Sequence, residues 1–510
     1  MDGLDFTSTA WFFVASTLTL SSILVARWTL QRKRHGSITR GDIPMARGGL
    51  PLLGHALLYK DDPPSFLRKQ EHLVGPVFRI NLAGRHMIII GSSPEIMKQV
   101  ASLPSSIMSS EKAIADIGFE YLLGKTNVFQ GTAWHKRILK DEIFDSSKFK
   151  PSFLPSLRAE LSKAMENEIK NLATPGKSST LIPDLFGFVR RIVLRTMFNK
   201  LIGLSLNDDD ENVLLDDIMC FQDIVEDATA TAAVMAGFIA RPFVLRPVER
   251  RRKSIEKIIA RHIEKGWSNN SLKGQWGPWL RIFNESRTSS EEAATLVVGL
   301  MFAAHKNPAI GATQSFCYLL SEGSRSDIDR ARNEAKHLMQ STSFSTSDIV
   351  EARTLRQYVL ETVRMTSHSI GALRKACKEV ILVDSSQREY RIRQGETVAI
   401  SHITTHRNNS IWKDGEKFDA HREEWASVAD TDDISVPIDN YKMTAFSHGT
   451  NKCPGERLAI ALMEIMLALL IDKNVQINGG VPPISFERAT LAQRARRISA
   501  TVLTEKVSSS

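Results

Sequence analysis

The chain has 510 residues, 42% hydrophobic and 24% charged, with a net charge of +9, values ordinary for a globular protein with a sizeable core. Its four cysteines, Cys220, Cys317, Cys377 and Cys453, are widely spaced and form no C-x-x-C pair, which excludes a disulfide framework and a zinc site and fits a reducing compartment. Basic clusters such as Arg250-Arg251-Arg252-Lys253 carry no aromatic interleaving or reader motif, so the expected partner is anionic lipid or an acidic protein, not nucleic acid.

In chain order, the first predicted element is an apolar, uncharged run over residues 6–26, close to the roughly 20 residues that cross a bilayer as a helix. Asp2 and Asp5 precede it and Arg27, Arg32, Lys33 and Arg34 follow, which places the N-terminus outside the cytosol and the rest of the chain inside. A cleaved signal peptide has the opposite charge order, so the run is expected to remain as an anchor. The Asn-x-Ser sites at Asn269, Asn284 and Asn408 then face the wrong compartment for glycosylation. Residues 1–35 are thus an anchor and stop-transfer segment, and 36–56, containing Pro44, Gly48, Gly49, Pro51 and Gly54, a linker without helix or strand.

The stretch 76–90 predicts two short strands turning at Ala83-Gly84, followed by a helix over 94–100. Trp134-His135-Lys136-Arg137 opens a basic helical stretch that reads, by itself, as a solvated face with one core tryptophan. Amphipathic helices are expected from Pro151 to about Gly274, broken near Pro242 and Pro247. Residues 290–322 predict one long buried helix, hydrophobic on most faces, with Pro308 distorting it. Glu361-Thr362-Val363-Arg364 lies on a helix expected to begin near Asp348; an E-x-x-R pair is usually a surface contact worth about 0.2–0.5 kcal/mol. Short strands follow at 380–382, 390–392 and 395–400.

Phe446-Ser447-His448-Gly449-Thr450-Asn451-Lys452-Cys453-Pro454-Gly455-Glu456-Arg457 then runs into the apolar Leu458-Ala459-Ile460-Ala461-Leu462-Met463. This is a loop feeding a buried helix, with glycines on both sides of one cysteine. A thiol before a helix N-terminus meets unpaired N–H groups and the positive end of the helix dipole, which favour the thiolate. The residues alone leave two readings open: an ordinary buried cysteine in a capping loop, or a metal ligand.

Phe446, Gly449, Cys453 and Gly455 fall on the pattern F-x-x-G-x-x-x-C-x-G, and in this the chain resembles the cytochrome P450 family. The resemblance implies a mainly α (α+β) fold, a helical haem domain with small β-sheets over 57–510, carried on one N-terminal transmembrane helix. It implies that Cys453 is the axial ligand of the iron of haem (iron protoporphyrin IX). Glu361, Arg364 and Arg422 match the family's buried brace behind the cysteine loop, and Arg374 its propionate-binding arginine. Trp134 matches a second propionate contact; its usual arginine four residues on is Ile138 here, and Arg137 is the candidate substitute. Asn451 stands where an Arg or His commonly binds a propionate.

The chain departs from the family on the long helix. In the usual A-G-x-acid-T pattern the acid and threonine pass protons to iron-bound dioxygen; here Ala303 and Ala304 precede His305, with Lys306 at the acid position and Asn307 at the threonine position. Asn307 can position a water but cannot replace a hydroxyl's proton transfer, His305 is a candidate proton carrier, and Lys306 is expected to point outward into a salt bridge or water. The resemblance implies a monooxygenase acting on a lipophilic, terpenoid or steroid-like secondary metabolite. Electrons would come from NADPH-cytochrome P450 reductase, docked on a basic face including Lys442, Lys452 and residues 135–140, with the haem domain on the cytosolic side of the endoplasmic reticulum membrane. The alternatives are a reductase-independent isomerase or dehydratase acting on a peroxide, or a non-catalytic haem-binding protein.

Overall fold

In a computed structural model of the chain, the described residues are 41–51, 53–125, 127, 134–146, 148–203, 208–233, 240–268, 276–428, 433–436, 441–486 and 491–503. The apolar run 6–26, Phe238-Ile239, Asn269 and the tail from 504 lie outside them. Among the described residues no helix is long and apolar enough to cross a membrane.

Helices dominate, with small sheets beside them. The predicted hairpin forms as β1 (Val77–Leu82) and β2 (Arg85–Ile90), antiparallel from Val77 opposite Ile90 to Leu82 opposite Arg85. Its turn is built on Ala83 and Gly84, both with positive φ. Three more strands complete a sheet of order β1-β2-β5-β4-β3: β3 (Met108–Ser109), β4 (Gly371–Ala376) and β5 (Thr397–Ile400), the last parallel to β2. The strands predicted at 380–382 and 390–392 pair as a separate hairpin. Pro44 and Ala46 exchange backbone hydrogen bonds with Arg79 of β1 (2.7 and 2.8 Å), so this part of the expected linker is fastened to the sheet edge. The Arg79 side chain adds a bond to the Ile43 carbonyl and a two-pronged pair with Glu396.

Nine helices position the site: α1 (Pro94–Ser102), α2 (Trp134–Ile138), α3 (Leu185–Met197), α4 (Asp208–Ala233), α5 (Ser290–Ala304), α6 (Lys306–Glu322), α7 (Arg325–Gln340), α8 (Arg353–Thr366) and α9 (Glu456–Asp472). α9 is apolar on nearly all faces and packs into the core against α6, α7 and α8. Gly311 of α6 allows that approach, because a Cβ there would collide with the Met463 sulfur.

Several expectations are corrected. Residues 290–322 form two helices, α5 and α6, broken at His305 (φ −110°, ψ −41°). Pro308 supplies the reason: it has no N–H to donate to the Ala304 carbonyl, and its ring crowds that oxygen. The E-x-x-R helix starts at Arg353, after a short helix over Thr346–Glu351. Ser179–Ile182, within the region read as all helix, is a strand pairing with Ala500–Leu503. Pro242 and Pro247 do not end the helix but coincide with an irregularity in it, a π-helical turn over Arg241–Leu245 that runs directly into the helix Arg246–Ser268.

One buried group in α9 predicts a pH effect. Both Glu464 oxygens are buried without a hydrogen-bond partner, and desolvation pushes its carboxyl up to about 8 against the attraction of Arg356. A folded-state pKa above the ordinary 4.5 gives stability that is full below that value and is lost as pH rises toward 8, at about 1.4 kcal/mol per pH unit. Glu464→Gln is therefore expected to match the parent in urea unfolding near pH 4.5 and to exceed it by about 4 kcal/mol near pH 8. Parallel pH profiles would refute the assignment.

Candidate active site

The loop before α9 is shaped by its own backbone. Gly449 has φ +65°, and a Cβ there would fall on the Ala101 carbonyl oxygen of α1, so the loop can lie against that helix only with glycine. The Cys453 N–H donates to the Phe446 carbonyl (2.8 Å), closing the loop beneath the thiol. Cys453 is exposed and Gly455 half-buried, and the Gly455 N–H donates to the Cys453 sulfur.

The expected lowering of the thiol pKa is reversed. Desolvation pushes the Cys453 thiol up, outweighing the Gly455 hydrogen bond and Lys452, with Glu456 adding to the rise. The thiol is solvent-accessible yet closely surrounded by protein atoms, which are the source of that desolvation. A ligated metal ion offsets that penalty, because a coordinating thiol is deprotonated outright.

Behind the loop, Glu361 and Arg364 of α8 are fully buried and joined by two hydrogen bonds of 2.7 Å. Glu361 also accepts from Arg422 Nε (3.1 Å), the Asp419 N–H (2.8 Å) and Trp425 Nε1 (3.0 Å). The two guanidinium groups spend their other donors on the carbonyls of His406, Lys413, Asp414, Gly415 and Lys417. A burial this costly is tolerable only with such full satisfaction.

Two residues that the sequence did not single out extend the brace. His406 bonds the Arg364 carbonyl through Nδ1 (3.2 Å) and accepts the Thr444 N–H at Nε2 (2.8 Å), which fixes the Nδ1–H tautomer. Thr444 is two residues before Phe446, so α8 is linked to the cysteine loop through one imidazole. The 38 residues between His406 and Thr444 hide that pairing from any local pattern.

Arg374 on β4 is buried, and among the described residues its guanidinium donates only to the Leu373 carbonyl (2.9 Å). Burial alone lowers its pKa, to about 10. A buried guanidinium without a carboxylate partner among the described residues suits an incoming anion such as a haem propionate. Trp134 is half-buried, edge-on to Phe283 at 6.0 Å. Arg137 is exposed, pairing with Asp141 (3.6 Å) and lying over the Trp134 ring. Asn451 accepts from the Ser110 hydroxyl (2.8 Å).

At the break between α5 and α6, Ala303 is exposed amid a largely buried helix, Ala304 and Asn307 are half-buried, and the Asn307 Oδ1 is buried without a partner among the described residues. Phe302 meets Phe119 edge-on at 6.0 Å, making an apolar stretch beside them. His305 is fully buried with both ring nitrogens engaged, Nδ1 donating to the Met301 carbonyl (2.5 Å) and Nε2 accepting from Arg190 Nε (3.3 Å). Desolvation, reinforced by Arg190, lowers its pKa to about 3, so it stays neutral. Lys306 takes the salt-bridge arm of its expectation, and the bridge is buried: it is 1% exposed and ion-paired to Asp223 (2.7 Å) and Glu226 (2.5 Å) of α4.

The chain is 22% identical over 457 residues to abscisic acid 8'-hydroxylase 1 of Arabidopsis thaliana, covering 88% of each chain. It is 20% identical over 477 residues to cytochrome P450 7B1 of Mus musculus (90% of this chain, 87% of the relative). It is likewise 20% identical over 455 residues to protopine 6-monooxygenase of Eschscholzia californica, covering 84% of each. The cytochrome P450 family model matches residues 44–501, nearly everything after the apolar N-terminal run, and the chain belongs to that family of enzymes, whose prosthetic group is iron protoporphyrin IX held by a cysteine thiolate.

Proposed function

We propose that the chain is a monooxygenase that hydroxylates, or oxidises in several steps, an unactivated carbon of a terpenoid or steroid-like molecule. Its electrons come from NADPH-cytochrome P450 reductase, and the run at 6–26 tethers it to the endoplasmic reticulum membrane with the haem domain in the cytosol. The observation that carries the reading is the accessible Cys453 thiol at the start of buried α9, in a loop fastened to α1 and, through His406, to the Glu361 brace.

Cys453 would hold the haem iron, and Arg374 would neutralise a propionate. Bound there, the haem supplies the activation of dioxygen. The chain's own residues do the rest. The Gly455 N–H stabilises the thiolate, and the apolar stretch at Phe119, Phe302 and Ala303 favours a lipophilic substrate and excludes water. Asn307 holds a water by its amide, while His305, neutral and doubly hydrogen-bonded, serves as a positioning residue at the break. Lys452 is paired to Glu456 at 2.6 Å, and His135 is neutral because burial lowers its pKa to about 4, so the reductase-facing charge rests mainly on Lys136, Lys140 and Lys442.

The absence of an acid or hydroxyl at positions 306 and 307 supports a second reading, rearrangement of a peroxide without a reductase. One experiment decides between them: the reconstituted enzyme is incubated with candidate terpenoids and sterols and products are read by mass. NADPH-dependent gain of one oxygen atom is expected. Conversion of a hydroperoxide with no need for NADPH, and no oxygenated product with it, would favour the second reading.

A further inference from the structure

The break in the central helix is held from outside by α4. Gln222, Asp223 and Glu226 lie at i, i+1 and i+4 of that helix, within one turn of each other. Gln222 Nε2 donates to the Phe302 carbonyl (3.1 Å), one turn before the break, and the two carboxylates receive the Lys306 ammonium, the first residue of α6. Arg190 of α3 completes the cluster with two bonds to Asp223 (3.0 and 3.1 Å), one to His305 Nε2 and one to the Met219 carbonyl (2.8 Å). Two cations thus face two anions around residues 301–306, and the contacts stop there. Asn307, the next residue, has no partner for its buried Oδ1 among the described residues, so no hydrogen bond to that oxygen fixes it independently of the backbone that precedes it.

A lysine this deeply buried is not an economical source of stability, since an apolar side chain of similar size often serves as well or better. What an ion pair adds is geometry: it accepts one arrangement of its helices and rejects others. We propose that Lys306 is a positioning residue that locks α4 to the helix break through Asp223 and Glu226, so that α4 and the segment from Ala303 to Asn307 move as one body. The inference rests on the haem-thiolate reading only for which face of the break meets the cofactor.

The test compares the full-length haem-loaded protein with Lys306→Met, Lys306→Glu and the charge-swapped pair Lys306→Glu with Glu226→Lys. Amide hydrogen exchange of peptides covering 216–230 and 298–310 is read together with the infrared stretching frequency of carbon monoxide on the reduced haem, which reports the polar surroundings of the bound gas. Lys306→Met is expected to speed exchange in both segments by roughly tenfold and to shift the carbon monoxide band. Lys306→Glu does so more strongly, and the swapped pair returns both toward the parent. Gln222→Leu, which leaves every charge in place, moves both readouts in the same direction by less. Arg195→Met removes a buried α3 side chain that pairs with Glu168 and with Glu211 at the far end of α4, about three turns before Asp223, and should leave the carbon monoxide band unmoved. Parent-like exchange and band position in Lys306→Met, or a swapped pair as disturbed as Lys306→Glu, would overturn the proposal. A parent protein lacking the thiolate-type Soret band would overturn the haem-thiolate reading instead, while the exchange data still decide the lock.

Discussion

Cys453→Ser is expected to remove the thiolate-type Soret band of the reduced, carbon monoxide-bound protein and to lower turnover by more than ~100-fold, since even partners one shell out from a metal ligand cost 10–100-fold. The loop should survive the change: the Cys453 N–H to Phe446 bond and the left-handed Gly449 belong to the backbone, and serine keeps the shape of the side chain. No other cysteine can substitute, because Cys317 is buried in α6, Cys220 lies on α4 and Cys377 follows β4. Absorbance of the reduced protein under carbon monoxide, beside far-ultraviolet circular dichroism, separates loss of the ligand from loss of the fold. A retained thiolate band would remove Cys453 from the site.

The second large effect is expected at Glu361. Its two oxygens receive five hydrogen bonds, from Arg364 (two), Arg422, Trp425 and the Asp419 N–H. Glu361→Gln replaces one acceptor oxygen by an NH2 group that confronts guanidinium and indole donors, and leaves two buried cations without their anion. Removing one partner from a buried pair costs about 3–5 kcal/mol, a large part of a typical folding free energy. Urea unfolding and the fraction of purified protein carrying haem should fall together, because the same network reaches Thr444 through His406. A loss under about 1 kcal/mol would show that the charge contributes little to holding the loop.

What could be read from the sequence follows the range of the interactions involved. The hairpin at 77–90 and the loop around Cys453 were legible because strand alternation and glycine spacing act within a few residues. The salt bridge expected of Lys306 forms, but its partners and its burial were not legible, because Asp223 and Glu226 lie 83 and 80 residues earlier and the helix breaks just before it. The strand Ser179–Ile182 escaped for a related reason: four residues have little pattern, and the segment that pairs with them is near the other end of the chain. The pKa of Cys453 departs from the expectation because the helix terminus is visible in the sequence and the residues that fold around the thiol are not.

The fastening of Pro44 and Ala46 to Arg79 has a mechanical consequence. The segment runs parallel to β1, bridged at Met45, so a pull on the chain from its N-terminal side loads those backbone bonds together, in shear, with the Arg79 to Ile43 bond sharing the load. Bonds that must break together resist force better than bonds peeled one at a time. Tension from that side therefore passes into the five-stranded sheet as a whole, and through Glu396 to the approach of β5, before it can stretch the connection. A tether attached there would steer the body like a rigid bracket, setting its tilt as well as its reach.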